Sequence, residues 1–132
     1  MEYTNICKHS LRVYYEDTDM GGIVYYANYL KFIERGRSEW VRKIGLNQRE
    51  MKAEGFVFAV RRIEADYLSS ARLDDELIVE TEIIKVTAAR LVMEQSVKKS
   101  DDVLFQAKVT IACVNEAGRP VRLPMQLFKL LH

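Results

Sequence analysis

Between residues 56 and 114 the chain passes through four β-rich segments, Phe56 to Leu68, Leu77 to Val86, Arg90 to Lys98 and Val103 to Val114. They are rich in Val, Ile and Thr, and short polar breaks separate them at Asp74-Asp75, Thr87 to Ala89 and Ser100-Asp101-Asp102. A parallel pairing needs a crossover of about a dozen residues or more, so these strands are expected to pair antiparallel.

Ahead of them the period is different. Residues 6 to 15 alternate imperfectly, Cys7, Leu11 and Val13 against Lys8, Ser10 and Arg12, and read as a first strand. From Tyr26 to Ile44 apolar residues recur at three and four (Tyr26, Tyr29, Leu30, Ile33, Trp40, Val41, Ile44), with Phe32 widening the face. This predicts a helix about 30 Å long. Gly36 in its middle costs about 1 kcal/mol relative to Ala, so a close approach by backbone or ligand is expected there. Gly45 closes the helix. Asn47 with Glu50 suggests a short capping-box helix ended by Gly55. Glu116 to Pro120 is a turn, and Pro124 to Leu131 reads as a short terminal helix. The sum is an α+β chain, one domain over residues 1–132, with a five-stranded antiparallel sheet wrapped around one long central helix: a hotdog fold. Its open sheet edges and the second flank of the helix predict dimerisation.

The totals narrow the function classes. A formal charge of +1 over 132 residues gives no overall pull toward nucleic acid or an anionic membrane. Cys7 and Cys113 stand alone, and with only His9 and His132 they assemble no metal-ligand set. A reduced, cytoplasmic protein without metal or cofactor is expected. Neither a signal peptide nor a transmembrane segment is legible.

The chemistry concentrates between Tyr14 and Tyr29. Glu16, Asp17 and Asp19 are followed by Gly21-Gly22, and then by the aromatic start of the long helix. Unpaired N–H groups at a helix start favour an anion or a polarised carbonyl oxygen beside them. By residue type alone, Asp17 and Asp19 are turn or cap residues. Tyr25, Tyr26 and Tyr29 are packing aromatics. Glu34 pairs with Lys31 or Arg37 on the helix surface, and His9 lies on a strand surface. Arg61-Arg62 and Lys98-Lys99 are each expected to send one member to either side of a strand.

The run Asp19-Met20-Gly21-Gly22-Ile23-Val24-Tyr25-Tyr26-Ala27-Asn28-Tyr29, preceded by Tyr14-Tyr15-Glu16-Asp17-Thr18 and followed by Glu34-Arg35-Gly36-Arg37, resembles acyl-CoA thioesterases of the 4-hydroxybenzoyl-CoA thioesterase type. Within these it is most similar to the YbgC subfamily, associated with the Tol-Pal system. Phe58-Ala59-Val60, Asp66-Tyr67 and Leu73 to Leu77 extend the likeness over nearly the whole chain. The resemblance implies hydrolysis of short-chain aliphatic or hydroxybenzoyl-type CoA thioesters. Asp19 falls at the catalytic carboxylate, and Tyr26 at the backbone N–H that polarises the carbonyl. Glu34 falls at the helix position that approaches the acyl group of the neighbouring subunit. Val24, Tyr25, Asn28, Tyr29, Phe58, Ala59 and Val60 complete the implied substrate contacts. Many YbgC-type chains carry His where this one has Tyr26, whereas the hydroxybenzoyl branch has Tyr.

A thiolate leaving group, with a conjugate-acid pKa of about 8.5, departs without a strong general acid, so no catalytic His is required. Asp19 could act as nucleophile through a mixed anhydride or as general base for water. Arg61, Arg62, Arg72, Arg90, Lys98 and Lys99 are candidates for the CoA phosphates. The implied partners are acyl-CoA, acyl-carrier protein and further copies of the chain, as a dimer or a dimer of dimers (a homotetramer). A hotdog dehydratase is disfavoured because no His falls near the helix start. The remaining alternative is a non-catalytic acyl-CoA or acyl-carrier-protein binding subunit of the lipid-synthesis or Tol-Pal machinery.

Overall fold

The computed structural model describes residues 6–125 and 127–128. In chain order the elements are β1 (Cys7–Arg12), α1 (Asn28–Lys43), α2 (Gln48–Ala53), β2 (Phe56–Tyr67), β3 (Glu76–Val86), β4 (Arg90–Lys99), β5 (Asp102–Asn115) and β6 (Pro120–Val121). The sheet order is β1-β3-β4-β5-β2, every pairing is antiparallel, and the two-residue β6 adds to β5 as a sixth strand. Sequence periodicity misses β6 because two residues carry no alternation.

One face of the sheet is the core. Leu77, Val79 and Thr81 of β3, Leu91, Met93, Gln95 and Val97 of β4, and Phe105, Ala107, Val109 and Ile111 of β5 are buried at alternate positions. Against them α1 lays Tyr29, Phe32, Ile33, Gly36, Trp40 and Val41. The helix has 16 residues and starts two positions later than the apolar pattern suggests. Tyr26 and Leu30, counted in that pattern, are exposed.

Gly36 is where the helix touches the sheet. A Cβ there would lie 2.6 Å from Val79 Cγ1 and 3.0 Å from Thr81 Oγ1, so only glycine lets α1 approach this closely. The fully buried Gln95 crosses at the same level, its Nε2 donating to the Ile33 carbonyl and to Thr81 Oγ1, each at 2.8 Å. A polar side chain in this core is thereby satisfied rather than stranded.

Three irregularities break the ladders, at Val60/Arg62, Ile83/Lys85 and Val97/Lys98. The first overturns a sequence expectation. Arg61 is the extra residue of a bulge, so Arg61 and Arg62 line one groove on the same side instead of dividing between two faces. Lys98 and Lys99 are each held by a carboxylate, Glu80 and Asp75, at 3.0 Å. Asn47 Oδ1 accepts from the Arg49 and Glu50 amides, the forward half of the expected capping box, and Gly55 follows with φ +95°. His9 is half-buried on β1. Of the expected terminal helix, Met125, Leu127 and Phe128 are helical; Gln126, Lys129 to Leu131 and His132 lie outside the described residues. Among the described residues no helix is long and apolar enough to cross a membrane.

Candidate active site

The segment before α1 is built by its acids and glycines. Asp17 is buried; its Oδ2 accepts from the Tyr14 amide at 2.8 Å, closing a single 3-10 turn over Tyr15–Asp17. The Asp17 carbonyl accepts from Asn28 Nδ2 and from the Tyr25 amide, each at 2.9 Å. Asp17 and the buried Asn28 therefore lock this turn to the start of the helix. For Asp17 this is the structural role its residue type suggests.

Asp19 is placed differently. The chain reverses through Asp19 to Ile23, with the Asp19 amide donating to the Ile23 carbonyl and Gly22 at φ +77°. The side chain is exposed, and among the described residues its one hydrogen bond is accepted at Oδ1 from the Gly21 amide at 2.8 Å. With Tyr15, Glu16, Thr18, Met20, Tyr25 and Asn28 it lines an open groove of about 750 Å³. The acid is thus a turn former, and it also stands free beside the helix start.

That helix start carries no side-chain cap. Its N-cap is Ala27, which has no side-chain acceptor to offer the first turn. The Tyr26 amide has no acceptor among the described residues, while the Tyr26 carbonyl accepts from the Tyr67 hydroxyl at 3.0 Å. Behind it, Tyr29 and Val24 are buried. Tyr29 stacks on Phe105 at 5.0 Å and its oxygen accepts from the Ala71 amide; burial pushes its hydroxyl pKa above the ordinary value. Of the candidate contacts, Tyr25 and Asn28 line the Asp19 groove, whereas Val24 and Tyr29 are buried in the core and do not line it.

The other candidates assemble elsewhere. Glu34 of α1 and Phe58, Ala59 and Val60 of β2 line a second cavity of about 180 Å³, floored by Leu91, Met93 and Ile111. No residue of this lining also lines the Asp19 groove. The surface ion pair expected of Glu34 is not formed: its carboxylate accepts from Ser38 Oγ at 3.2 Å, and Arg37 donates instead to Gln95 Oε1 at 3.1 Å. Burial holds the Arg37 guanidinium below the ordinary arginine pKa, and the Glu34 carboxylate opposes that shift. Residue type marks Arg37 only as an ion-pair partner of Glu34, and it does not mark Gln95 at all. The available signal was a Gln in the inward-facing phase of an otherwise apolar strand.

On the opposite side of the sheet Arg61, Arg62, Lys85, Arg90 and Lys108 gather round a groove of about 1070 Å³. Cys7 and Cys113 are buried free thiols. Among the described residues no group of His, Cys, Asp and Glu could hold a metal ion.

Residues 13–130 match the model of the thioesterase-like superfamily, and the chain belongs to that superfamily. Its branch is that of YbgC. It is 40% identical over 124 residues to the acyl-CoA thioesterase YbgC of Haemophilus influenzae, covering 92% of this chain and 91% of the relative. It is 38% identical over 126 residues to the acyl-CoA thioester hydrolase YbgC of Escherichia coli O157:H7, with 94% of each covered. The crystal structure of a probable thioesterase from Bartonella henselae superposes with a TM-score of 0.87 at 41% identity, covering 91% of this chain and 100% of that one. A 1,4-dihydroxy-2-naphthoyl-CoA thioesterase from Synechocystis keeps the same fold (TM-score 0.87, 96% of each chain) at 19% identity.

Proposed function

We propose that this chain hydrolyses acyl-CoA thioesters to the free acid and CoA, with Asp19 delivering the attacking oxygen and the start of α1 polarising the thioester carbonyl. The observation that carries this reading is the Asp19 groove: an exposed carboxylate with only Oδ1 engaged, shared with the first residue of an uncapped helix. Oδ2 has no partner among the described residues and is free to attack the carbonyl carbon or to take a proton from water. The Tyr26 amide is the donor for the developing oxyanion; loss of one such donor costs about 10²–10³ in rate in other enzymes. The YbgC relatives, named as acyl-CoA thioester hydrolases, support the same chemistry.

The separation of the two cavities supports a site completed by a second copy. In this reading Glu34, Phe58, Ala59 and Val60 of one copy receive the acyl group of a thioester attacked by Asp19 of another. β2, twelve residues long and at the edge of the sheet, offers an unpaired ladder for that copy. A cavity of about 180 Å³ suits a short aliphatic or single-ring acyl group. The groove of Arg61, Arg62, Arg90, Lys85 and Lys108, in which Glu64 pairs Arg62 and leaves the other cations of the lining in excess, suits the CoA phosphates better than Lys98 and Lys99, which are each paired. Acyl-carrier protein is a second carrier consistent with this reading, and the cytoplasm the compartment.

The test is thiol release from short aliphatic, long aliphatic and hydroxybenzoyl CoA thioesters by the parent and by Asp19→Asn. Turnover lost in the variant, with CoA binding and Tm retained, supports the hydrolase. A parent that binds CoA yet releases no thiol sinks it in favour of a non-catalytic binder. Light scattering of the same samples reads the oligomeric state, and a monomer would remove the shared site.

A further inference from the structure

The cavity between α1 and β2 has a polar end whose arginine has no part in the thioester chemistry above. Its floor and sides are apolar: Val41, Phe58, Ala59, Val60, Leu91, Met93 and Ile111. Its polar lining is Arg37, Glu34 and Ser38 from successive turns of α1, with the neutral amide of Gln48 from the start of α2. A guanidinium carries five N–H donors. Within the described residues Arg37 makes one hydrogen bond, from Nη1 to Gln95 Oε1, and feels the Glu34 charge without a direct ion pair to it. Half-buried beside apolar side chains, its remaining donors face a space where each unmet bond is costly.

Gln95 makes this arrangement rigid. Its amide nitrogen is tied to the Ile33 carbonyl and to Thr81 Oγ1, which leaves its oxygen pointing at Arg37 with no freedom to turn. The guanidinium is therefore held from below, in a preset orientation, by a side chain with no exposure at all. A surface arginine would have no need of such a support.

The charge balance of the cavity defines the ligand. Glu34 lies in the same lining as Arg37, so the pair sums to zero and a second carboxylate would meet Glu34 as a like charge. A neutral oxygen meets no such repulsion: it accepts from Arg37, and if it is a hydroxyl it can also donate to Glu34. We propose that Arg37 is a specificity-determining residue whose free N–H donors bind a neutral oxygen at the far end of a short acyl group. The preferred substrates are then short acyl-CoA thioesters with a distal hydroxyl or keto oxygen, ahead of their plain or carboxylate-ended counterparts. This rests on the reading that the α1–β2 cavity receives the acyl group of a hydrolysed thioester.

Matched pairs test it: butyryl-CoA against 4-hydroxybutyryl-CoA, pentanoyl-CoA against 4-oxopentanoyl-CoA, with succinyl-CoA as the anionic control. The readout is the ratio of kcat/KM within each pair, which is insensitive to the fraction of protein that is active. The parent is expected to favour the oxygenated member by roughly tenfold or more, and to place succinyl-CoA last. Arg37→Met should bring the ratio to about one, and Arg37→Lys, which keeps the charge without the fork, should leave it in between. A parent ratio near one, or a ratio unchanged in Arg37→Met, overturns the proposal while leaving the hydrolase reading in place. Each rate is read above the enzyme-free rate, since the 4-hydroxybutyryl thioester releases thiol by itself on closing to its lactone; a parent that raises no member above that rate fails both.

Discussion

The Tyr67 hydroxyl, near the end of β2, donates a 3.0 Å hydrogen bond to the carbonyl of Tyr26, just ahead of the first turn of α1. Tyr67 is held in turn against Phe105 and Tyr29 at ring distances of 5.0 and 5.6 Å. The entry to the helix is thus tied to the sheet through an aromatic stack rather than through a cap of its own. Tyr67→Phe keeps the stack and removes the bond. The expected result is a loss of about 1 kcal/mol or less in stability, since the bond is partly solvated. With the Tyr26 amide as oxyanion donor, kcat should fall several-fold while KM holds, as steady-state kinetics beside a thermal melt would read.

Gly36→Ala sets two effects against each other. Helix propensity favours Ala by about 1 kcal/mol. The new methyl, however, would lie 2.6 Å from Val79 Cγ1, on a fully buried side chain that has nowhere to go. Overpacking of this kind costs about 1–3 kcal/mol, so urea denaturation should show a net loss. A gain in stability would mean that α1 can lift from the sheet at little cost.

Replacing Gln95 by Leu of similar size strands Thr81 Oγ1 and frees Arg37 from its support. The expected penalty is about 1–3 kcal/mol by denaturant titration, the range for leaving buried polar partners unmet. Gln95→Glu is expected to be worse at neutral pH than at acid pH, because a carboxylate cannot donate to the Ile33 carbonyl.

Asp75 supplies a pH signature. Burial pushes its carboxyl up, but bonds from the Arg72 amide and the Lys99 ammonium outweigh this and hold its pKa below the ordinary 3.8. A carboxyl depressed in the folded state contributes stability that is complete above its unfolded pKa and is lost as pH falls through the folded value. The contribution should therefore fade from just above pH 3.8 downward. In Asp75→Asn the stability curve over that window should be flatter, by melts at stepped pH; an identical slope would assign the acid sensitivity elsewhere.

Much of this was legible in residue order, because it depends on neighbours a few positions apart. Short polar breaks force antiparallel strands, three-and-four spacing forms α1, and Gly36 marks the close approach. The turn at Asp19 to Gly22 and the cap at Asn47 follow from local side-chain to backbone bonds. What residue order left open depends on register and contact across long separations. The bulge at Arg61 turns an alternating pair into one basic groove. Arg37 meets Gln95 from 58 positions away, and Tyr67 meets Tyr26 from 41. Asp19 and Glu34, close in sequence, open onto separate cavities because the helix carries one away from the other. Local periodicity determined which elements exist; the packing of α1 on the sheet decided which side chains face each other, since only closed tertiary contacts select among registers that local patterns permit equally.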